Sequence, residues 1–273
     1  MLISNQEEAE SYQEAIEHAK KGDWKKALDE ELNSLLENQT YDLVKLPKGR
    51  KILKNKWVFK LKNDDKNLRY KARLLMKGFG QKKGIDFDEI FLPVVKISSI
   101  RVVLGMVASM NLEVEQLDVK TAFLHDDLEE EIYIEQSECF VEKGKEKFVC
   151  KLKKSLYGLK QALRQWYKKF DSFMMNNGFS KTTSDHCVFV KNFSDGKFII
   201  LLLYVDDMLI VGPDSTMINK LKLELSKSFA MKDLRLTKQM LGMKNVRDHK
   251  KGLFWLSQES YIEKVLKRFS MDK

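Results

Sequence analysis

Two adjacent carboxylates, Asp206 and Asp207, stand inside the apolar run FIILLLYVDDMLIV at residues 198–211. A charge set in a segment that otherwise favours burial is costly unless it is paired, hydrogen-bonded or bound to a cation. The run is too short and too charged to span a bilayer. It reads as two core strands that turn back at the aspartates, a residue type that tolerates turn geometry. From this segment alone, an ordinary hairpin turn and a functional acidic tip are both open. Either needs a packed sheet around it, and 273 residues at 43% apolar and 33% charged are enough for two or three small subdomains around a substantial core.

The flanking patterns fit a mixed architecture. DWKKALDEELNSLLEN (23–38) sets Trp24, Ala27, Leu28, Leu32, Leu35 and Leu36 on one stripe, with Asp23 as N-cap, and predicts a helix. Residues 40–64 break into short β-type runs with a hairpin at Asn63-Asp64, and the cation-rich LRYKARLLMKGF (68–79) reads as the returning strand. Helices are expected over 98–110, 155–179 (opening at Tyr157-Gly158, with Gly178 just past its end), 217–229 and 257–271. Strands are expected over 114–124, 130–136 and on both sides of Ser194-Asp195-Gly196. Strands and helices mix irregularly, which favours α+β: an antiparallel sheet with helices on one face. Trp24, Trp57 and Trp166 read as core anchors.

Charge and cysteine content narrow the function classes. Lys plus Arg number 49 against 40 Asp plus Glu, a net charge of +9 that suits a phosphate-bearing partner and equally a plain basic surface. Cys139, Cys150 and Cys187 are far apart, as in reduced cytosolic or nuclear thiols, and the four histidines offer no zinc spacing. The opening stretch MLISNQEEAESYQEA is polar and acidic, without a signal-peptide pattern.

A second carboxylate gives the first pair a chemical use. Asp118 in QLDVKTAFL also ends an apolar strand before a turn, so two strand-end acidic sites can converge within one sheet. Such groups suit Mg²⁺, which takes oxygen ligands and keeps water and substrate phosphates as its other partners. Two such ions about 4 Å apart clamp the attacking and leaving oxygens of an in-line displacement.

These residues carry a family resemblance. WKKALDEELNSLLENQTYDLVKLP, NKWVFKLK, YKARLLMKGFGQKKGIDFDEIF, QLDVKTAFLHDDLEEEIYIEQ, VCKLKKSLYGLKQALRQWY, LLLYVDDMLIVG and GLFWLSQESYI follow one another along nearly the whole chain. In order and approximate spacing they resemble the reverse transcriptase domain of copia-type LTR retrotransposons. The resemblance implies a right-hand polymerase with fingers, a ferredoxin-like palm and a partial thumb. It divides the chain into an N-terminal helical segment (1–45), fingers (46–105 and 129–160), palm (106–128 and 161–243) and the start of a thumb (244–273). It implies an RNA- and DNA-directed DNA polymerase with Asp118, Asp206 and Asp207 as catalytic carboxylates. Asp118, Asp206 and the Val119 carbonyl would hold two Mg²⁺ ions, with Mn²⁺ as a substitute.

The same resemblance makes Phe123 a steric gate against a ribose 2′-hydroxyl. Arg73, aided by Lys71 or Lys66, would grip the dNTP triphosphate; for each lysine a solvated strand face is the equal alternative. Tyr157 would stack under a base, Gly158 would admit nucleotide or template close to the backbone, and Gln161 would contact nucleotide. Arg164 would contact nucleic-acid phosphates, and Leu241, Gly242 and Met243 the primer end, with a plain core hairpin as the equal alternative for these three. Template–primer and dNTP are the implied partners, with RNase H and integrase regions of a polyprotein as neighbours, no membrane, and a cytoplasmic or nuclear setting in a virus-like particle.

Several positions depart from the family pattern. Leu163 stands where a proline usually presets an early helix position, Asp126 where a glycine makes a turn, and Leu92 where a serine is usual. Arg235-Leu236 and Gln239-Met240 are likewise atypical. Such drift leaves a second reading, a decayed or domesticated fragment that grips nucleic acid without extending a primer. A hydrolase using Asp118 and Asp206 as acid and base is the third, and it would need neither Mg²⁺ nor dNTP.

Overall fold

The computed structural model describes residues 8–64, 67–120, 122, 128–138, 140–235, 239–240 and 243–271. The chain forms two compact units, Met1–Phe91 with Phe123–Trp166 and Leu92–Ala122 with Tyr167–Lys273. The first opens with α1 (Tyr12–Glu17), α2 (Lys21–Glu37), β1 (Tyr41–Lys45), β2 (Ile52–Leu53), β3 (Asn55–Asp64) and β4 (Asn67–Met76). α3 (Ile97–Ser109) and β5 (Glu113–Val119) begin the second, and β6 (Tyr133–Ile134) and β7 (Phe148–Leu152) return to the first. After α4 (Ala162–Asn176) come β8 (Ser180–Lys181), β9 (Val188–Asn192), β10 (Phe198–Tyr204) and β11 (Asp207–Gly212). The rest is α5 (Ser215–Ser228), β12 (Met231–Arg235), β13 (Gln239–Met240), β14 (Met243–Asp248), β15 (Leu253–Ser257) and α6 (Glu259–Arg268).

In the first unit, alternation along two paired strands builds a two-faced ribbon. The β3–β4 register pairs Trp57 with Leu74, Phe59 with Ala72 and Leu61 with Tyr70, which places these apolar side chains on one face. α2 covers that face with its own stripe. Trp24 is fully buried and meets Tyr70 and Phe59 edge-on, with ring centroids 4.6 and 5.3 Å apart, a favoured aromatic geometry. The other face pairs Lys60 with Lys71, Lys62 with Arg69 and Val58 with Arg73, so it is cationic. A second sheet runs in the order β1-β7-β6-β2, and Trp57 is anchored by its Nε1, which donates to Ser137 Oγ at 2.8 Å.

The second unit centres on a six-stranded sheet in the order β12-β5-β11-β10-β9-β8, antiparallel throughout. Leu201 opposite Ile210, and Leu203 opposite Met208, share one face. Two of the unit's helices sit there: Phe170 of α4 meets Phe189 edge-on at 5.6 Å, and Ile218 of α5 lies over Gly212. Lys222 of α5, nearly buried, is bridged by Glu115 of β5 and by Asp233 of β12 at 2.6 Å. The opposite face carries buried Ile200, Leu202, Leu209 and Val211 and, at the turn end, Asp207 opposite Asp118. The α+β reading holds, with α4 and α5 on one face of this sheet.

Several local expectations are corrected. α2 starts at Lys21 with Lys20 as N-cap, so Asp23 lies inside the first turn, where it still opposes the helix dipole. The strand expected over 130–136 shortens to Tyr133–Ile134. The helix expected from residue 155 begins at Ala162, because Gly158 has φ +91°, outside helical space. The tight turn falls on Val205 and Asp206, and Asp207 is already the first residue of β11. Phe123, Lys66, Asp126, Cys139, Leu236, Leu241 and Gly242 lie outside the described residues.

α3 has no cap from its own N-cap side chain; Asp185 supplies one from across the unit. This buried carboxylate accepts from Ser99 Oγ at 2.6 Å, Lys96 N at 2.8 Å and Cys187 N at 3.0 Å. Burial alone would raise its pKa, but these hydrogen bonds outweigh burial and hold the carboxyl below its ordinary value. A depressed folded pKa adds stability above the unfolded value of about 3.9, and the contribution fades as pH falls through the folded value. Asp185→Asn is therefore expected to cost about 1–3 kcal/mol at pH 7 and to flatten the loss of stability below about pH 4. Urea melts at pH 7 and pH 3 check both.

Candidate active site

The acidic end of the second unit is set by register. β5 lies between β11 and β12, and Asp118 faces Asp207 directly across the β5–β11 pair. Directly opposed antiparallel residues bring their Cβ atoms to about 5 Å, and like charges there destabilise the sheet. Asp206 is the second residue of the two-residue turn, and its carbonyl accepts from Val119 N at 3.0 Å. The turn thereby sits beside the Asp118–Val119 step. The backbone positions of Asp118, Val119, Asp206 and Asp207 thus lie at one end of one sheet.

Two further features of this end were not anticipated from the sequence. Gln116 Nε2 donates to Asp207 Oδ1 at 3.1 Å. Its place two residues before Asp118, hence on the same strand face, was the available signal. Val205 has φ +56°. A two-residue hairpin needs such a value at its first position and usually takes glycine there, whereas a β-branched residue is an outlier costing of order 1–3 kcal/mol.

The donor set suits a hard divalent cation. Opposed carboxylates gain most from a cation between them, and Mg²⁺ commonly uses one or two carboxylates plus substrate oxygens. Among the described residues no three His, Cys, Asp or Glu side chains form a metal-holding cluster.

In the first unit Arg73 and Lys71, two of the expected phosphate-gripping residues, lie together on the cationic face. The Arg73 guanidinium stacks over the Tyr157 ring, 4.3 Å from its centroid. Partial burial, with Arg73 and Lys62 nearby, pulls Lys71 down to about 8. Glu31 of α2 accepts from Leu74 N at 3.3 Å, and burial pushes its carboxyl above the ordinary range despite the neighbouring cations.

Gly158 is crowded, but by the chain's own backbone. A Cβ there would lie 2.2 Å from Met76 O, and a Cβ on Gly78 would lie 2.0 Å from Gly158 O. Met76 N donates to Tyr157 O at 2.7 Å, which closes the contact. Gln161 is buried and committed: its Oε1 accepts from Gln81 Nε2 at 3.0 Å, and its Nε2 donates to Asp86 O at 2.9 Å. Arg164 is held by Glu89 and donates to Phe91 O at 3.2 Å. Both side chains therefore organise the segment after β4. In the second unit, Met243 opens β14 and is largely buried.

A sequence profile described as "Reverse transcriptase (RNA-dependent DNA polymerase)" matches residues 38–273. The chain belongs to this reverse transcriptase family. Among curated relatives of the family, the "Retrovirus-related Pol polyprotein from transposon TNT 1-94" of Nicotiana tabacum is 63% identical over 273 residues, covering 99% of this chain and 21% of the polyprotein. The polyprotein from transposon RE1 of Arabidopsis thaliana is 41% identical over 261 residues, covering 94% of this chain and 18% of that one. This reverse transcriptase chain thus spans about a fifth of the length of the relatives it matches. A structure of apo telomerase from Candida tropicalis aligns with a TM-score of 0.42 at 9% identity, covering 86% of this chain and 60% of that one. Among the described residues, no helix is long and apolar enough to cross a membrane.

Proposed function

We propose that this reverse transcriptase chain is an RNA- and DNA-templated DNA polymerase domain of a copia-type polyprotein. A primer 3′-hydroxyl attacks the α-phosphate of a dNTP in line, and pyrophosphate leaves. The observation that carries the reading is the register of β5 against β11, which gathers Asp118, Asp206 and Asp207 at one sheet end. Asp118, Asp206 and the Val119 carbonyl would hold two Mg²⁺ ions, or Mn²⁺ in their place, and the bound metal would supply activation of the hydroxyl and offset of the charge on the phosphate oxygens. Gln116 orients the Asp207 carboxylate, and the strained Val205 fixes Asp206 at the turn.

The cationic β3–β4 face receives the triphosphate through Arg73, whose fork suits paired phosphate oxygens, with Lys71 beside it. Stacking on Tyr157 fixes the guanidinium plane in advance. Phe123 acts as the gate against ribonucleotides, and Leu241, Gly242 and Met243 position the primer end.

Lys71 gives this reading a pH signature. Its charge is lost as pH rises through about 8, and an anionic ligand binds the charged form better. The KM for dATP is expected to rise roughly three- to tenfold between pH 7 and pH 9, and Lys71→Arg is expected to abolish that rise. Steady-state titrations across this range check it.

The defining experiment is primer extension on oligo(dT)/poly(A) with Mg²⁺ and dTTP. Incorporation that requires the metal supports the polymerase. Retention of template–primer with no incorporation by the wild-type chain favours instead the fragment that only binds nucleic acid. Turnover of a substrate without metal or dNTP would favour a hydrolase.

A further inference from the structure

We propose that Phe79 is a stacking platform for an unpaired template base, which deepens and rests on the polymerase reading above. Phe79 is 84% exposed, in the segment KGFGQKK (77–83), which has three lysines and no carboxylate. A single exposed aromatic needs no explanation by itself. What sets this one apart is the rigidity of its support.

The 3₁₀ turn Gly78–Gly80 that presents the ring is fixed from several directions. Gly78 is pressed against Gly158 O, with no space for a side chain. Lys77 N donates to Lys54 O at 2.8 Å, and Lys51 Nζ donates to Gly80 O at 3.1 Å. The next residue, Gln81, is buried. It accepts from Lys160 N at 2.8 Å and donates to Gln161 Oε1 at 3.0 Å. The fold thus holds a large apolar ring in solvent on a turn tied down by these contacts, an arrangement that lowers the conformational entropy opposing stacking on it.

Position and charge favour a nucleic-acid occupant. Met76, three residues before the ring, donates to Tyr157 O, and Tyr157 carries Arg73, so the ring lies a short stretch of backbone from the proposed triphosphate grip. Lys82 and Lys83 are exposed just beyond it. An aromatic among cations is the pattern by which single strands are held: cations follow the phosphates, and any base offers a face to the ring.

The test measures binding by anisotropy, with Asp206→Asn as background so that no turnover occurs. The probes are a primer–template with a 5′ single-stranded overhang and the matching blunt duplex. The parent is expected to prefer the overhang, and Phe79→Ala to lose about 5- to 150-fold for that probe. The salt slope should stay unchanged, since no phosphate contact is removed, and blunt-duplex affinity should barely move. Phe79→Trp should retain the preference, with indole fluorescence quenched by the overhang, and Phe79→Leu should not rescue. Equal affinities for Phe79→Ala and its parent overturn the proposal. So does rescue by leucine, which would indicate an apolar protein contact. Failure of the parent to bind either probe would instead remove the polymerase reading, a distinguishable result.

Discussion

Asp206→Asn is expected to leave less than about one thousandth of the primer-extension rate while the protein melts no earlier than the wild type. Asparagine takes turn positions as readily as aspartate, and the hydrogen bond from Val119 N is accepted by the Asp206 backbone carbonyl, which the substitution keeps. What it loses is the formal charge that the proposed metal site requires. Asp118→Asn should give the same loss of activity with a small gain in stability, because it removes one of two carboxylates that face each other across β5 and β11. Such opposed like charges cost about 0.2–1 kcal/mol. The informative outcome is the opposed sign, with activity collapsing as melting temperature holds or rises. Extension assays beside thermal melts read both quantities. A variant that loses its fold with its activity, or that keeps a tenth of its activity, would contradict the assignment.

Gly158→Ala is expected to destabilise the first unit by about 3 kcal/mol or more, summing left-handed strain and forced overpacking. The added Cβ would lie 2.2 Å from Met76 O and 2.9 Å from Met76 N, both backbone atoms that cannot rotate away. Residual φ strain at +91° adds to the clash. Gly144→Ala supplies the control: it also has a positive φ, +81°, but a Cβ there meets nothing within 4 Å. It should cost only about 1 kcal/mol. Urea unfolding of the two variants separates the terms, and equal losses would show that the contact with Met76 contributes nothing.

The sequence conveyed alternation and composition well and long-range commitments poorly. KWVFKLK and RYKARLL foretell a ribbon with one apolar and one cationic face, because a strand sends successive side chains to opposite sides. The apolar strands around VDD foretell a hairpin, but its turn is displaced by one residue. The displacement follows from Val205, which takes a conformation that β-branched residues avoid, so propensity points to the aspartates instead. Glycine at 158 announces a close approach without saying by what, and the answer, Met76, lies far away in sequence. For Gln161 and Arg164, nothing in a string of letters reveals that Gln81, Asp86 and Glu89 are their partners within the fold. Gln116 was legible in principle from its spacing to Asp118, and Phe79 was not, since exposure is a tertiary property.

The pinning of β5 between two neighbours also bears on how a gene copy of this kind falls silent. Loss of one codon between Glu113 and Asp118 would turn the acidic side chain toward α5, since a single-step slip reverses every side chain of a strand. The reading frame would survive and the protein could still be made, yet the proposed chemistry would end there. A codon lost near Gly144, where the surroundings are open, would pass almost unnoticed.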